Sequence, residues 1–313
     1  MSWLDNFSFA PLDCRIQARE EFVLPAYKGG TLRGSFGYAF KKAICVTRSR
    51  ECTDCLLQDS CVYAYIFETP RPKNTSVMRK YERVPHPFVF LPPLNRTRLV
   101  RPGDVLEFRM VLMGRAIEYL SYFVFVLQAM CEQGLGQDRG QCELKQVSAG
   151  DIQVYTSGSN KVYSPQIITT RKLFNEQLAN SSKISLQLNT PLKLIRNGRI
   201  LQDQLHFQDI FRSLLRRVAL LGQFHCSLTP DCDFRDLIHR AGEVSTREQD
   251  LSWMNWSRYS TRQQKSMPGS GFVGRISFEG DLDVFRPYLS LGEYVHVGKN
   301  TSFGLGNYKI IQE

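Results

Sequence analysis

Apolar and polar residues follow two periods along this chain, and both periods occur in each half. In the second half, Ile184, Leu186 and Leu188 alternate with polar residues, which predicts a strand over residues 183–195. Residues 207–221 then carry apolar side chains three and four positions apart, which predicts a helix. With the strand and helix patterns that follow, this half predicts the order β-α-β-β-α-β, which is typical of a ferredoxin-like domain.

The first half fits the same order less well. Its first strand is predicted at residues 14–24, and an apolar face predicts a helix that ends near Ile44. Residues 116–133 form the strongest helical pattern of this half, and Gly134 is placed to end that helix. We therefore expect an α+β protein with two ferredoxin-like domains in tandem.

The predicted boundary lies within residues 156–182, where the stretches TSGSN and NSS are typical of a linker. Three further segments interrupt the regular patterns, and all are rich in cysteine, proline or glycine. The predicted parts are an N-terminal domain (1–165), a cysteine insertion (45–68), a largely irregular basic loop (69–101), a C-terminal domain (166–313) and a glycine-rich loop (292–308).

The net charge of the chain is +10, which favours a polyanionic partner, because each cation that neutralises a phosphate releases a condensed counterion. The charge is concentrated. Residues 69–101 contain eight lysines or arginines and one acid, and residues 258–275 contain four cations and no acid. Two local basic segments of this kind indicate a phosphate-binding track rather than a uniformly solvated surface.

The distribution of apolar residues predicts neither a membrane span nor a secretion signal. No apolar run approaches the roughly 18 residues that a transmembrane helix needs. The N-terminus lacks a basic segment followed by an apolar core. We therefore expect a cytoplasmic protein with reduced cysteines and no membrane partner.

Four of the nine cysteines are clustered with the spacing C-x6-C-x2-C-x5-C. The CxxC pair supplies two thiolates that can grip one ion, and the outer two can complete a tetrahedron. Structural zinc is the predicted occupant and an iron–sulfur cluster is the runner-up, while the remaining alternative is four unligated thiols. The candidate ligands are Cys45, Cys52, Cys55 and Cys61.

The most distinctive local sequence is the glycine-rich stretch HVGKNTSFGLGNY at residues 296–308. Glycines let successive backbone N–H groups converge, and polar side chains between them add donors for phosphate oxygens. The alternative is a tight β-corner without a ligand. The predicted RNA-binding residues of this loop are Gly298, Asn300, Ser302, Gly304 and Gly306.

A second basic and aromatic stretch, WSRYSTRQQ at residues 256–264, is predicted to be a strand that extends from residue 253 to 262. In an extended strand, alternate residues share one face, so its arginines can grip phosphates while its tyrosine stacks on an unpaired base. The alternative is an ordinary solvated strand face. The candidate RNA-binding residues are Arg258, Tyr259, Arg262 and Lys265.

Both stretches resemble motifs of the CRISPR-associated repeat-processing endoribonucleases of the RAMP superfamily. Two more segments resemble the same family, namely LRGSFGYAFKKAIC at residues 32–45 and the cysteine cluster that runs into YAYIFE at 63–68, and the four matches follow the family's order. The resemblance implies ferredoxin-like domains that bind CRISPR repeat RNA. It also implies cleavage within each repeat without a catalytic metal, by attack of a 2′-OH that leaves a 2′,3′-cyclic phosphate and a 5′-OH.

Many family members carry a catalytic histidine in or after the first helix, but residues 29–68 of this chain contain none. His296 is our candidate acid or base, because it lies three residues before Lys299, whose charge can stabilise the phosphorane. Tyr38 and Lys42 are candidates on the first helix. The alternative function is a non-catalytic RNA-binding subunit that works with other CRISPR effector subunits.

Overall fold

The computed structural model describes residues 2–48, 51–72, 75, 83–175, 181–260 and 265–311. The chain divides into two compact units. The N-terminal unit is Phe9–Ile167, and the C-terminal unit joins Met1–Ser8 to Ile168–Glu313. Across the described ranges, no helix combines the length and the apolar character that a membrane span needs.

The N-terminal unit contains a mostly antiparallel set of strands and two long helices. In chain order these are β1 (Ser8–Ala18), β2 (Phe22–Val23), α1 (Gly29–Ile44), β3 (Phe88–Leu91), β4 (Leu99–Val100), β5 (Val105–Met113), α2 (Leu120–Gln133), β6 (Cys142–Ala149) and β7 (Ile152–Thr156). A π-helical turn, Ala64–Glu68, lies between α1 and β3.

The main sheet of this unit has the order β3-β5-β1-β6-β7, and each neighbouring pair in this order is antiparallel. Without the added edge strand β7, the second, third, first and fourth strands lie side by side around two crossover helices. This is the ferredoxin-like arrangement. The observed strand order of the first half therefore matches the predicted ferredoxin-like topology, although the sequence pattern of this half matched it less well.

Aromatic packing joins the helices of the N-terminal unit to its sheet. The ring of Phe36 on α1 lies 5.1 Å from Phe90 of β3 and 5.5 Å from Phe123 of α2, centroid to centroid. Phe40, one turn further along α1, lies 5.5 Å from Phe67 of the π-helical turn. This buried face fixes α1 on the sheet and turns its opposite face to solvent.

The C-terminal unit repeats the topology. Its elements are β8 (Ile168–Thr169), α3 (Thr170–Asn175), β9 (Lys183–Leu192), β10 (Ile195–Arg196), β11 (Arg199–Ile200), α4 (Phe207–His225), α5 (Phe234–Glu243), β12 (Ser245–Met254), β13 (Ser257–Ser260), β14 (Lys265–Pro268), β15 (Gly271–Glu279), α6 (Arg286–Val295) and β16 (Tyr308–Ile311). The sheet order β12-β15-β9-β16 again places the second, third, first and fourth strands side by side. The predicted α+β class with two ferredoxin-like domains is confirmed.

Three local predictions differ from the structure. The first strand begins at Ser8 instead of residue 14, and it ends at Ala18. The strand predicted over residues 253–262 is divided between β12, which begins at Ser245, and the separate hairpin of β13 and β14. The basic loop is less irregular than expected, because the apolar run Phe88–Leu91 joins the sheet as β3.

Candidate functional site

Helix α1 presents two of the predicted catalytic residues on its exposed face. Tyr38 is 64% exposed, and Lys42, one turn later, is also exposed. Residues four apart on a helix are neighbours on its surface, so the phenol and the ammonium group share one patch. Phe36 and Phe40 alternate with them and are fully buried, which fixes the orientation of the patch. The structure therefore places both candidates on the exposed face of α1.

The glycine-rich loop connects α6 to β16 and is held tightly against β9. The hydroxyl of Thr190 donates a hydrogen bond to the carbonyl of Gly304 (2.7 Å) and accepts one from the N–H of Asn307 (2.8 Å). The side-chain amide of Asn189 donates to Oδ1 of Asn307 (3.0 Å), and the N–H of Gly306 donates to the carbonyl of Pro191 (3.0 Å). These hydrogen bonds hold the loop against β9.

The backbone of this loop needs glycine at two positions. Gly306 has φ +70°, and a Cβ atom there would collide with the carbonyl oxygen of Val297. Gly298 has φ +89°, and a Cβ atom there would lie 2.5 Å from the carbonyl oxygen of Lys193. Only glycine adopts such a conformation at so close an approach of two backbones without a steric penalty. The tight corner accounts for these glycines whether or not RNA binds.

The residues predicted to bind RNA in this loop divide into two groups by exposure. Lys299 is exposed, while Gly298 and Asn300 are half-buried at the surface. Ser302, Gly304 and Gly306 are buried, so their side chains or backbone line the interior of the loop. The surface that a phosphate can reach is therefore the short segment from Gly298 to Asn300, centred on Lys299.

His296 lies under the loop instead of on its surface. It is 1% exposed, and its Nε2 lies 3.2 Å from the side-chain amide of Asn307. Because the Asn307 amide donates to that nitrogen, the ring proton is assigned to Nδ1. Burial, together with the positive charge of Arg217, lowers the pKa of His296 to about 3.

A histidine in this position is neutral near pH 7 and offers substrate no exposed face. Lys299, three residues later, is exposed. The spacing allowed the two side chains to face one phosphate, with packing of His296 under the loop as the alternative, and the structure buries His296 while it exposes Lys299. Its geometry favours a packing role for His296, at the junction where Arg217 Nε donates to the carbonyl of Val295 (2.8 Å).

The sequence did not single out Thr190 or Asn307, which organise the loop. Asn307 directly follows the glycine run, so its position was the one available signal. Thr190 gave no local signal, because its partners lie more than a hundred residues away in the chain.

The second predicted RNA-binding stretch forms the backbone hairpin of β13 and β14. Arg258 pairs with Met267, Tyr259 with Ser266, and Ser260 with Lys265. The side chains of Arg258, Tyr259 and Lys265, and the whole of Arg262, lie outside the described part of the chain. Their RNA-binding roles remain predictions.

The basic loop exposes three arginines near its end, namely Arg96, Arg98 and Arg101. Arg83 is engaged by an ion pair, with Nη2 2.8 Å from the buried carboxylate of Glu68. His86 places Nδ1 3.0 Å from the hydroxyl of Thr69 and is part of the packing around the loop. Lys73, Arg79 and Lys80 lie outside the described residues. The exposed arginines of this segment that lie outside the ion pair with Glu68 are therefore, among the described residues, those at 96, 98 and 101.

The four clustered cysteines line one cavity of about 350 Å³ at the C-terminal end of α1. Within the described residues, no three His, Cys, Asp or Glu side chains come close enough together to hold one metal ion. All nine thiols are free. The four predicted zinc ligands therefore line one cavity, but their arrangement does not support a single zinc ion.

Two family models match separate parts of the chain. The model AF_1859_N, described as an N-terminal domain, matches residues 7–170. The model of the CRISPR-associated endoribonuclease Cas6 matches residues 186–308, which include the glycine-rich loop. An uncharacterized protein of Archaeoglobus fulgidus is 23% identical over 317 residues, covering 97% of this chain and 99% of that protein.

Solved structures share the fold at low sequence identity. A partial Cas6-RT-Cas1–Cas2 complex matches with a TM-score of 0.60 and 12% identity over 99% of this chain, but the chain spans 47% of the length of that chain. A Cas6 product complex matches with a TM-score of 0.59 and 14% identity, covering 97% of this chain and 100% of the other. The AF_1859_N model matches more than half of the chain, which therefore belongs to the family that this model describes, and residues 186–308 match the model of the CRISPR-associated endoribonuclease Cas6.

Proposed function

We propose that this protein is a metal-independent endoribonuclease that cleaves precursor CRISPR RNA within its repeats. The observation that carries the proposal is the exposed pair of Tyr38 and Lys42 on α1, in a helix that resembles a motif of this family. The reaction is attack of a ribose 2′-OH on the adjacent phosphate, which leaves a 2′,3′-cyclic phosphate and a 5′-OH.

In this proposal the exposed face of α1 supplies the chemistry. The ammonium of Lys42 offsets charge on the phosphorane, since a fixed cation stabilises charge that develops in the transition state. Tyr38 is one turn away and is placed to exchange a proton with the 2′-oxygen or the departing 5′-oxygen. His296 shapes the glycine loop from beneath and takes no part in proton transfer.

RNA binding is assigned to exposed cations. Lys299 and the half-buried backbone around it bind a phosphate at the glycine loop, and Arg96, Arg98 and Arg101 bind phosphates along the basic loop. Arg258, Tyr259, Arg262 and Lys265 contribute from the β13–β14 hairpin. The partner is CRISPR repeat RNA, and further CRISPR subunits are candidate partners, since one structural relative is a partial Cas6-RT-Cas1–Cas2 complex.

The test incubates the purified protein with end-labelled repeat RNA in excess EDTA. We expect one cut per repeat, product ends that carry a cyclic phosphate and a 5′-OH, and no cut when the nucleotide before the scissile phosphate is 2′-deoxy. Tight, salt-sensitive binding without cleavage would contradict the proposal. It would instead support the alternative, a non-catalytic RNA-binding subunit.

A further inference from the structure

Four aromatic side chains form a row on the surface of the N-terminal unit, and the proposed function leaves this row without a role. The ring of Tyr119 lies 5.7 Å from that of Tyr65 and 6.2 Å from that of Tyr122, centroid to centroid. Phe125 follows Tyr122 by three positions on α2, so the two rings emerge from one face of that helix. We call these four residues the aromatic row.

The aromatic row lies outside the apolar core. Phe125 is 54% exposed and Tyr122 is 43% exposed, while Tyr65 and Tyr119 are half-buried. The opposite face of α2 supplies Phe123 to the core, where it is fully buried. Adjoining apolar side chains that stay exposed are typical of a binding surface, because covering them removes apolar area from water. The row is therefore suited to a partner with flat, apolar faces.

Arg115 adds a positive charge to the aromatic row. Its guanidinium carbon lies 5.2 Å from the ring centroid of Tyr65 and 5.8 Å from that of Tyr119, and its Nη2 donates a hydrogen bond to the Tyr119 hydroxyl (3.0 Å). Arg115 is exposed, and within the described residues it forms no ion pair, including with Glu118 three positions later. Its charge is thus available to an anionic partner.

The aromatic row begins beside the C-terminal end of α1. Tyr122 lines the cavity of about 350 Å³ together with Ala43 and Ile44, the last two residues of that helix. Ala43 directly follows Lys42, the residue that is proposed above to offset charge on the phosphorane. The row therefore adjoins the helix end from which the proposed chemistry is supplied.

Rings beside an arginine fit the bases of a single-stranded nucleic acid. Unpaired bases stack on aromatic side chains and on guanidinium planes with little regard to sequence, because every base has a π-face. We propose that the aromatic row and Arg115 stack unpaired nucleobases of the substrate RNA that flank the scissile phosphate. This inference rests on the proposed function, since it takes the bound RNA to be the substrate.

Stacking makes this surface differ from the basic loop in its response to salt. The arginines of the basic loop bind phosphates, so their contribution weakens as salt replaces the released counterions. A tyrosine ring that stacks on a base neutralises no phosphate and releases no counterion. Loss of the Tyr122 ring should therefore lower RNA affinity by the same factor at every salt concentration.

The test measures binding of repeat RNA with a 2′-deoxy nucleotide before the scissile phosphate, so that cleavage does not enter the readout. We expect Tyr122→Ala to bind about 5- to 150-fold more weakly than the wild type, with an unchanged salt slope. Tyr122→Phe keeps the ring and should keep the affinity. The matched control Tyr163→Ala removes an exposed ring of the same unit outside the row, and should also keep it.

A fluorescent base locates the stack. 2-Aminopurine loses its fluorescence when it stacks, and it is placed in turn at each unpaired position on either side of the scissile phosphate. We expect the wild type to quench it at one position or more, and Tyr122→Ala to leave it fluorescent there. An abasic nucleotide at the same position should weaken binding to the wild type but not to Tyr122→Ala, because the two changes remove one interaction.

Three results would overturn the inference while leaving the proposed function intact. They are unchanged affinity of Tyr122→Ala, quenching that persists in that variant, and a base that stays fluorescent at every position. The first result with a change in oligomeric state would identify the row as an interface between copies of the chain. Quenched binding without cleavage of all-ribose RNA would contradict the proposed function alone. Should Tyr122→Ala fail to fold, quenching and the abasic RNA decide the matter on the wild type.

Discussion

The two ferredoxin-like units have the same strand order but place their candidate chemistry differently. In the N-terminal unit the helix after the first strand, α1, exposes Tyr38 and Lys42 over a fully buried aromatic face. In the C-terminal unit the distinctive motif lies after the last helix, and hydrogen bonds to β9 draw most of it inside. A glycine-rich sequence can therefore reflect the needs of a tight backbone, while an ordinary amphipathic helix exposes the residues that we propose to be catalytic.

The largest change in stability is expected for a substitution of glycine in this loop. Gly306→Ala forces a Cβ atom into the Val297 carbonyl at a positive φ, so one of the two backbones must shift. We expect a loss of about 3 kcal/mol or more in the free energy of unfolding. Urea unfolding followed by circular dichroism measures it.

The matched control is Gly34→Ala on the exposed face of α1. A Cβ atom there meets no other atom within 4 Å, and alanine is the better helix former. We expect a gain of about 0.5–1 kcal/mol. If both variants unfolded like the wild type, the glycines of the loop would not be needed by its backbone.

A second prediction concerns the buried His296 and the dependence of stability on pH. The unfolded chain binds a proton at this ring below pH 6.5, but the folded protein does not do so until about pH 3. The free energy of unfolding must therefore fall as the pH falls through this window, by about 1.4 kcal/mol per pH unit well below 6.5. We expect this ring to account for about 2 kcal/mol of stability lost at pH 5 compared with neutral pH.

The variant His296→Gln isolates that contribution, because it keeps an acceptor for the Asn307 amide but cannot take up a proton. Its stability should fall about 2 kcal/mol less than that of the wild type between neutral pH and pH 5. Equal losses in the two proteins would show that His296 is accessible to protons in the folded state, and would reopen its predicted role in catalysis.

The smallest expected effect concerns Lys299, the exposed residue of an otherwise closed loop. If it neutralises one phosphate of single-stranded RNA, Lys299→Ala should flatten the log–log salt dependence of binding by about 0.7. The control Lys183→Ala removes an exposed cation at the start of β9 and should leave the slope unchanged. Filter binding over a range of salt concentrations measures both. An unchanged slope for Lys299→Ala would show that the glycine-rich loop does not bind an RNA phosphate through this residue.

The fold was largely predictable from the sequence, because the order of helices and strands depends on local hydrophobic periods. The period in residues 183–188 and 207–221 gave the second unit, while the first unit was obscured by a long insertion between α1 and β3. Helix α5 was not predicted. It buries only Leu237 and Ala241, so its apolar signal is weak, although Asp233 caps it by accepting hydrogen bonds from the N–H groups of Arg235 and Asp236.

The site was predictable only where exposure follows from helix geometry. Tyr38 and Lys42 lie opposite a clear apolar face, so their exposure could be predicted from spacing alone. The burial of His296 could not, since it depends on Asn307 and on Arg217 of α4, which approaches from a distant part of the chain. The arrangement of the cysteine thiols likewise depends on how Thr47 folds between them.

The most direct test of the account is single-turnover cleavage of labelled repeat RNA at neutral pH, with the enzyme in saturating excess. We predict that Tyr38→Phe and Lys42→Ala each slow cleavage by about 10²–10⁴-fold, while His296→Gln keeps the wild-type rate constant. The matched controls are Tyr163→Phe and Lys161→Ala, which alter exposed residues of the N-terminal unit far along the chain from α1. The opposite result, a slow His296→Gln enzyme with unimpaired α1 variants, would contradict the assignment of the chemistry to α1.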